Sequence, residues 1–235
     1  VNIPINVSDC FGTQVTVELA LPTSAEVHAI LYTPADFTAQ MLSRVPKQLQ
    51  ASVEARRHAF IAGRYCAARA LTKAGFTGEK WLPIGDDRLP VWPDGWQGSI
   101  SHSQCGAIAV AVRDSICRSI GVDLEETNAT DRLIEIASTI ARPDELNLFK
   151  ELPQEQRVAL LFSAKEALYK ALFPEVRRFF DFSAAFAISS KEGILQLALA
   201  QSWAPNWPTG SIVATRYSFQ SGHVFTAVCL LRKWP

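Results

Sequence analysis

Two acidic residues on alternate positions of a short apolar run stand out for chemistry: Asp123 and Glu125 in Gly121-Val122-Asp123-Leu124-Glu125. The run reads as a strand. Side chains alternate faces along a strand, so both carboxylates point the same way, about 7 Å apart. Like charges on one face repel. A divalent cation removes that cost, and hard oxygen ligands suit Mg²⁺, with Mn²⁺ as the alternative ion. The natural third ligand is Glu166, in Phe162-Ser163-Ala164-Lys165-Glu166-Ala167-Leu168-Tyr169-Lys170-Ala171. Lys170 follows it by one helical turn and Lys165 lies one position before it. A third motif, Gly98-Ser99-Ile100-Ser101-His102-Ser103, offers the Ser101 hydroxyl and a His102 imidazolium beside backbone N–H groups, a local nest for an anion. Arg56, Arg57 and Arg64 add guanidinium forks shaped for phosphate, with Arg57 and Arg64 on one helix face, and Arg88 is a weaker candidate in a loop.

Each set has a plainer reading. Asp123 and Glu125 could be the solvated side of an edge strand. Glu166 and Lys170 could be an i,i+4 ion pair worth about 0.3–0.5 kcal/mol. His102 could be a hydrogen-bonded surface histidine, and the arginines could simply be solvated. Arg177-Arg178-Phe179-Phe180 could grip a partner or be an arginine pair over core aromatics.

The elements that must position these groups follow from periodicity and punctuation. Val27–Tyr32 reads as an early strand. Residues 47–74 read as one helix stopped at Gly75, with Phe60, Ala67 and Leu71 on its core stripe. Residues 81–98 form a loop. Ser99–Ser101, Ala107–Arg113 and Ile120–Glu125 read as strands. Helices are expected over 131–141, 144–152 and 153–173, the last ended by Pro174, and strands over 182–188, 194–199, 212–217 and 224–231. Strand, long helix and strand cluster thus occur twice. The predicted fold class is α+β, with two similar halves, 1–116 and 117–235, related by a pseudo-twofold and facing each other across a ligand cleft.

Composition bounds the function. The chain has 235 residues, 48% of them hydrophobic and 20% charged, enough for one large domain or two small ones. Its formal net charge of +0 excludes a global basic field for nucleic acid, so any anion site must be local. Five scattered cysteines (Cys10, Cys66, Cys105, Cys117, Cys229), with no CxxC pair, argue against a disulfide framework or a zinc ribbon and for a reducing cytoplasm. No signal peptide or membrane-length apolar run is expected. The chain does not begin with Met, so a few residues are expected to have been trimmed in front.

In their order and spacing, GSISHS, GVDLE and FSAKEALYKA resemble the three signature motifs of the 4′-phosphopantetheinyl transferases. The helix carrying Arg57 and Ala59-Phe60-Ile61-Ala62-Gly63-Arg64, and the segment Arg88-Leu89-Pro90-Val91-Trp92-Pro93, are similar to the bacterial enterobactin synthetase component D branch. The similarity runs from about Pro46 to Pro174. It implies two α+β halves with the active site between them, held in one chain and so expected to act as a monomer. It implies transfer of the phosphopantetheine arm of coenzyme A to a serine of an apo carrier protein, releasing adenosine 3′,5′-bisphosphate. The implied metal ligands are Asp123, Glu125 and Glu166. Ser101, His102, Arg57, Arg64 and Arg88 are implied at the 3′-phosphate of coenzyme A, and Lys165 and Lys170 near its pyrophosphate. Glu166, directly or through a water, is the implied base, with Asp123 and Lys170 beside it in the catalytic set. Leu124 between the acids cannot ligate, and Glu126 is an extra acid. The branch implies carrier domains of a siderophore-type nonribosomal peptide synthetase, with fatty-acid carrier protein as the alternative substrate. A Mg²⁺-dependent nucleotide phosphodiesterase and an inactive carrier-binding module are the rivals from other classes.

Overall fold

The computed structural model describes residues 11–128 and 131–232; Cys10 lies outside them. The chain runs β1 (Thr13–Val15), β2 (Glu26–Leu31), α1 (Ala39–Leu42), α2 (Lys47–Gln50), α3 (Glu54–Lys73), β3 (Trp96–His102), β4 (Gly106–Arg113) and β5 (Cys117–Glu126). Then follow α4 (Asp131–Glu135), α5 (Ala137–Ile140), α6 (Pro143–Asn147), α7 (Gln154–Val176), β6 (Ala185–Lys191), β7 (Ile194–Leu199), β8 (Ile212–Gln220) and β9 (His223–Leu231). Two antiparallel sheets result, in the orders β1-β2-β4-β3 and β5-β9-β8-β7-β6.

β4 shows why the layers stack as they do. Its alternation places Ala107, Ala109 and Ala111 on one face and Ile108, Val110 and Val112 on the other. The small face lets α3 come close, and those alanines join Ala62, Ala67, Ala70 and Leu71 of the helix in one core. The bulky face meets Val122, Leu124, Phe225 and Ala227 of the second sheet. That sheet buries its far side against Leu161, Ala164, Leu168 and Leu172 of α7. The order is therefore helix, sheet, sheet, helix: an α+β fold with one long helix to each sheet.

Several elements depart from the sequence expectation. The helix over 47–74 is broken at Val53, whose extended backbone (φ −56°, ψ 152°) separates α2 from α3. The Gln50 carbonyl left free there accepts from Arg57 Nη1 at 3.1 Å. No glycine or proline marks the break. The other end follows the reading: Gly75 at φ 83° and Phe76 N–H bonding Leu71 O at 2.9 Å complete a left-handed C-terminal cap. The helix expected to stop at Pro174 continues to Val176 and ends on left-handed Arg177. Residues 131–141 form two short helices divided at Ile136, and residues 182–184 form a 3-10 turn ahead of β6.

Candidate active site

The backbone approach of β5 to α7 sets the site. A Cβ on Gly121 would collide with the Ala167 carbonyl and the Ala171 amide. Glycine therefore lets the strand lie against the helix backbone, and Ser119 Oγ donates to the Ala171 carbonyl in the same contact. This brings Asp123 and Glu125 on the strand to Glu166 and Lys170 on the helix. The neighbouring edge strand, β3, presents Ser99 and Ser101 to β5. Ser99 Oγ accepts from Val122 N–H at 3.0 Å.

Asp123 is 3% exposed. Its Oδ1 accepts from Ser101 Oγ at 2.6 Å and from Lys170 Nζ at 2.6 Å, and Lys170 also donates to Ser101 Oγ at 2.7 Å. Its Oδ2 is buried with no hydrogen-bond partner. A buried acceptor left unpaired costs on the order of 1–3 kcal/mol, more when charged, so this oxygen fits a donor or a cation. Glu125 stands beside it with its pKa raised to about 8, first by burial and then by the Asp123 charge, against the opposing pull of Lys170. Burial and Asp123 likewise raise Glu166. Two carboxylates that resist ionisation, beside a third with an orphan oxygen, are the donor set a hard divalent cation fits. The three are not drawn fully together. Among the described residues, only Cys105, Glu126 and His223 form a trio of His, Cys, Asp or Glu ligand atoms all within 4.8 Å of one another.

From this cluster a cleft of about 1070 Å³ opens between the halves, just above the roughly 300–1,000 Å³ usual for ligand pockets. Lys170, Tyr169 and Phe173 of α7 line one side, with Ser119 and Ile120 of β5. Arg56, Phe60, Gly63 and Arg64 of α3, His102 of β3, and the loop with Arg88 and Trp92 line the other. Arg177 Nη1 donates to Asp87 Oδ2 at 2.6 Å, joining the end of α7 to that loop. Arg64 is held by its Nε bond to the Leu82 carbonyl at 2.7 Å and lies 4.7 Å over the Phe60 ring. Burial lowers its pKa to about 10, so it stays cationic at neutral pH.

The sequence-predicted residues divide. Asp123, Glu125, Glu166 and Lys170 meet at the strand–helix contact, and Arg64, Arg88 and His102 line the cleft. Five placements differ from the expectation. Arg57 points to the Gln50 carbonyl, and Arg56 takes the cleft position in its place. The signal was available, because Arg56, Phe60, Gly63 and Arg64 fall at i, i+4, i+7 and i+8 on one face. Phe60, expected in the core, belongs to that cleft face. Ser101 is 6% exposed and spends its hydroxyl on Asp123 and Lys170, while alternation sends its neighbour His102 to the cleft. Lys165 lies in a separate buried pair: its Nζ meets Glu145 Oε1 at 2.9 Å and the Ile140 carbonyl at 2.7 Å. His102 differs from the expected cation. The cleft walls, then Lys170 and Arg56, lower its pKa to about 4 although part of the ring meets solvent, so it is neutral at pH 7.

The family model described as the 4′-phosphopantetheinyl transferase N-terminal domain matches residues 45–112. The model of the 4′-phosphopantetheinyl transferase superfamily matches residues 119–225. The chain is 37% identical over 162 residues to enterobactin synthase component D of Escherichia coli O157:H7, covering 66% of this chain and 75% of that one. It is 32% identical over 190 residues to the 4′-phosphopantetheinyl transferase PptT of Mycobacterium tuberculosis, covering 76% and 81%. Against enterobactin synthase component D of Salmonella typhi the match is 37% identical and spans 53% of that protein's length.

Proposed function

Because the chain belongs to the 4′-phosphopantetheinyl transferase superfamily, we propose that it moves the phosphopantetheine arm of coenzyme A to a serine of an apo carrier domain. The observation that carries this reading is the buried, unpartnered Oδ2 of Asp123 beside two carboxylates of raised pKa, at the edge of a cleft lined by arginines.

Asp123, Glu125 and Glu166 would hold Mg²⁺, with Mn²⁺ as the alternative ion. The ion supplies neutralisation of the pyrophosphate charge that builds on the leaving bisphosphate. Arg56, Arg64 and Arg88 supply charge-assisted bonds to the 3′-phosphate, and neutral His102 donates from a ring N–H. The Lys170 ammonium already bridges Ser101 and Asp123 and offers its remaining proton to a pyrophosphate oxygen. Glu166 takes the proton of the attacking serine, directly or through a water. Positioning and charge neutralisation are most of what phosphoryl transfer asks of a protein.

The proposed halves are 1–116 and 117–235. Both wall the cleft, so one chain suffices for the site and a monomer is the proposed working form. No helix among the described residues is long and apolar enough to cross a membrane. Cys66, Cys105, Cys117 and Cys229, none of them in a disulfide, fit a reducing cytoplasm. The enterobactin synthase relatives favour a siderophore-type nonribosomal peptide synthetase as the carrier's source. The test is incubation with coenzyme A, Mg²⁺ and apo carrier domains of peptide-synthetase and fatty-acid type. A phosphopantetheine mass gain on the peptide-synthetase carrier is expected, and release of free phosphopantetheine without carrier modification would overturn the reading.

A further inference from the structure

Outside the cleft, three metal-ligating side chains converge where the β3–β4 turn of the first half meets the β5 and β9 strands of the second. We propose that Cys105, Glu126 and His223 form a second cation site, selective for a zinc-class ion, that clips the two halves together.

Geometry carries the proposal. Cys105 Sγ lies 3.3 Å from Glu126 Oε1 and 3.7 Å from His223 Nε2, and all three ligand atoms fall within 4.8 Å of one another. Tetrahedral zinc with ordinary Zn–S, Zn–N and Zn–O bonds sets its ligands about 3.4–3.6 Å apart. Both sulfur distances are therefore within a few tenths of an ångström of coordination.

The imidazole is also oriented for it. His223 Nδ1 is 2.9 Å from the Ser221 carbonyl. A carbonyl only accepts, so Nδ1 carries the proton and Nε2 faces Cys105 with a free lone pair. A ligating histidine is fixed in the same way by an outer partner. Each ligand is seated on ordered backbone. Glu126 and His223 are register partners on β5 and β9. Ser221 and Gly222, both at positive φ (51° and 73°), form the tight turn that starts β9, and Thr127 binds the Gly222 carbonyl from the end of β5. The cysteine turn is held by the Tyr32 N–H bond to the Cys105 carbonyl at 2.7 Å and by Ser103 N–H to Gly106 O at 2.9 Å.

Ligand chemistry separates this site from the carboxylate cluster. Strand alternation puts Glu126 on the face opposite Asp123 and Glu125. Thiolate and imidazole favour zinc, whereas Mg²⁺ selects oxygen. Binding is redox-neutral: the Cys105 thiol proton leaves to solvent as the sulfur–metal bond forms. Three protein ligands leave one position for water.

The test uses the full chain in excess Mg²⁺, titrated with Co²⁺ as the spectroscopic stand-in for Zn²⁺. The expected result is one equivalent bound with a thiolate-to-cobalt charge-transfer band, displaced by Zn²⁺. Cys105→Ser should lose the band. Glu126→Gln, which preserves shape, should weaken binding by at least about tenfold, the least that loss of even an outer partner costs. Zn²⁺ should raise the Tm of the unsubstituted chain and not that of Cys105→Ser. Absence of the band, its survival in Cys105→Ser, or its loss in Asp123→Ala or Cys117→Ser would overturn the proposal.

Discussion

Helix α7 carries two lysines five residues apart in one motif, each paired with a buried acid, and the two pairs differ in completeness. At the Lys165 pair every oxygen of the acid is used. Glu145 Oε1 accepts from Lys165 at 2.9 Å and from Ala187 N–H at 2.8 Å, and Oε2 accepts from Arg142 N–H at 2.9 Å. Lys165 spends two further bonds on the Ile140 and Phe182 carbonyls. At the Lys170 pair Asp123 keeps one oxygen bare, two more carboxylates crowd it, and the lysine stays partly open to the cleft. A closed pair ties elements together and has nothing left to offer a ligand. An open one holds charge in reserve, at a cost in stability, for chemistry. Both acids are buried to similar depth, so burial of the acid alone does not separate the closed pair from the open one; satisfaction does.

The sharpest break between the pairs is expected at the open one. Glu166→Gln keeps the fold and, with saturating Mg²⁺, regains coenzyme A binding by calorimetry, but carrier modification followed by mass spectrometry falls by about 10²–10⁴, the usual loss for a general base. Recovery of both signals together would leave Glu166 a ligand alone.

At the closed pair the loss should appear in stability. Lys165→Met strands the Glu145 charge and should lower unfolding free energy by about 3–5 kcal/mol in urea melts. Adding Glu145→Gln should restore most of it, because the amide removes the uncompensated charge. Coenzyme A affinity of the folded fraction should not change. A Lys165 variant of normal stability and weakened coenzyme A binding would return that residue to the cleft.

The two pairs should also separate by pH. The folded-state pKa of Glu125, raised to about 8, lies above its unfolded value near 4.5, so the folded state binds more protons between them. Metal-free protein should therefore lose stability as pH rises from about 4.5 to about 8, by on the order of a few kcal/mol, and level off above. Mg²⁺ or Glu125→Gln should flatten the profile. A metal-free profile that rises with pH through this window would refute the crowding.

The smallest expected difference is on the opposite wall of the cleft. Arg56→Ala should lose about 1.5–3 kcal/mol of coenzyme A affinity, as for one charge-assisted hydrogen bond, and far less toward dephospho-coenzyme A. Arg57→Ala should leave both affinities near normal. The reverse order would restore the cleft role to Arg57.

What was legible in the sequence was local. Alternation of Asp123 with Glu125 and the helical turn from Glu166 to Lys170 are properties of strand and helix geometry, readable without a partner. The same periodicities gave the two long helices, most strands and the α+β class. Where geometry alone was too coarse, neighbours decided. Arg56 and Arg57 differ by about 100° around one helix, and the break at Val53 plus the free Gln50 carbonyl chose which one meets the cleft. Helix α7 passes its proline because Pro174 falls in the last turn, where only the Lys170 carbonyl loses its bond. The fate of Lys165 rested on Glu145, and the trio of Cys105, Glu126 and His223 on strand pairing across 118 positions of chain. Periodicity tells which way a side chain points from its own element. Which acid, carbonyl or cation stands in that direction is set by how distant elements pack, and that alone decided which buried charges were completed and which were left open.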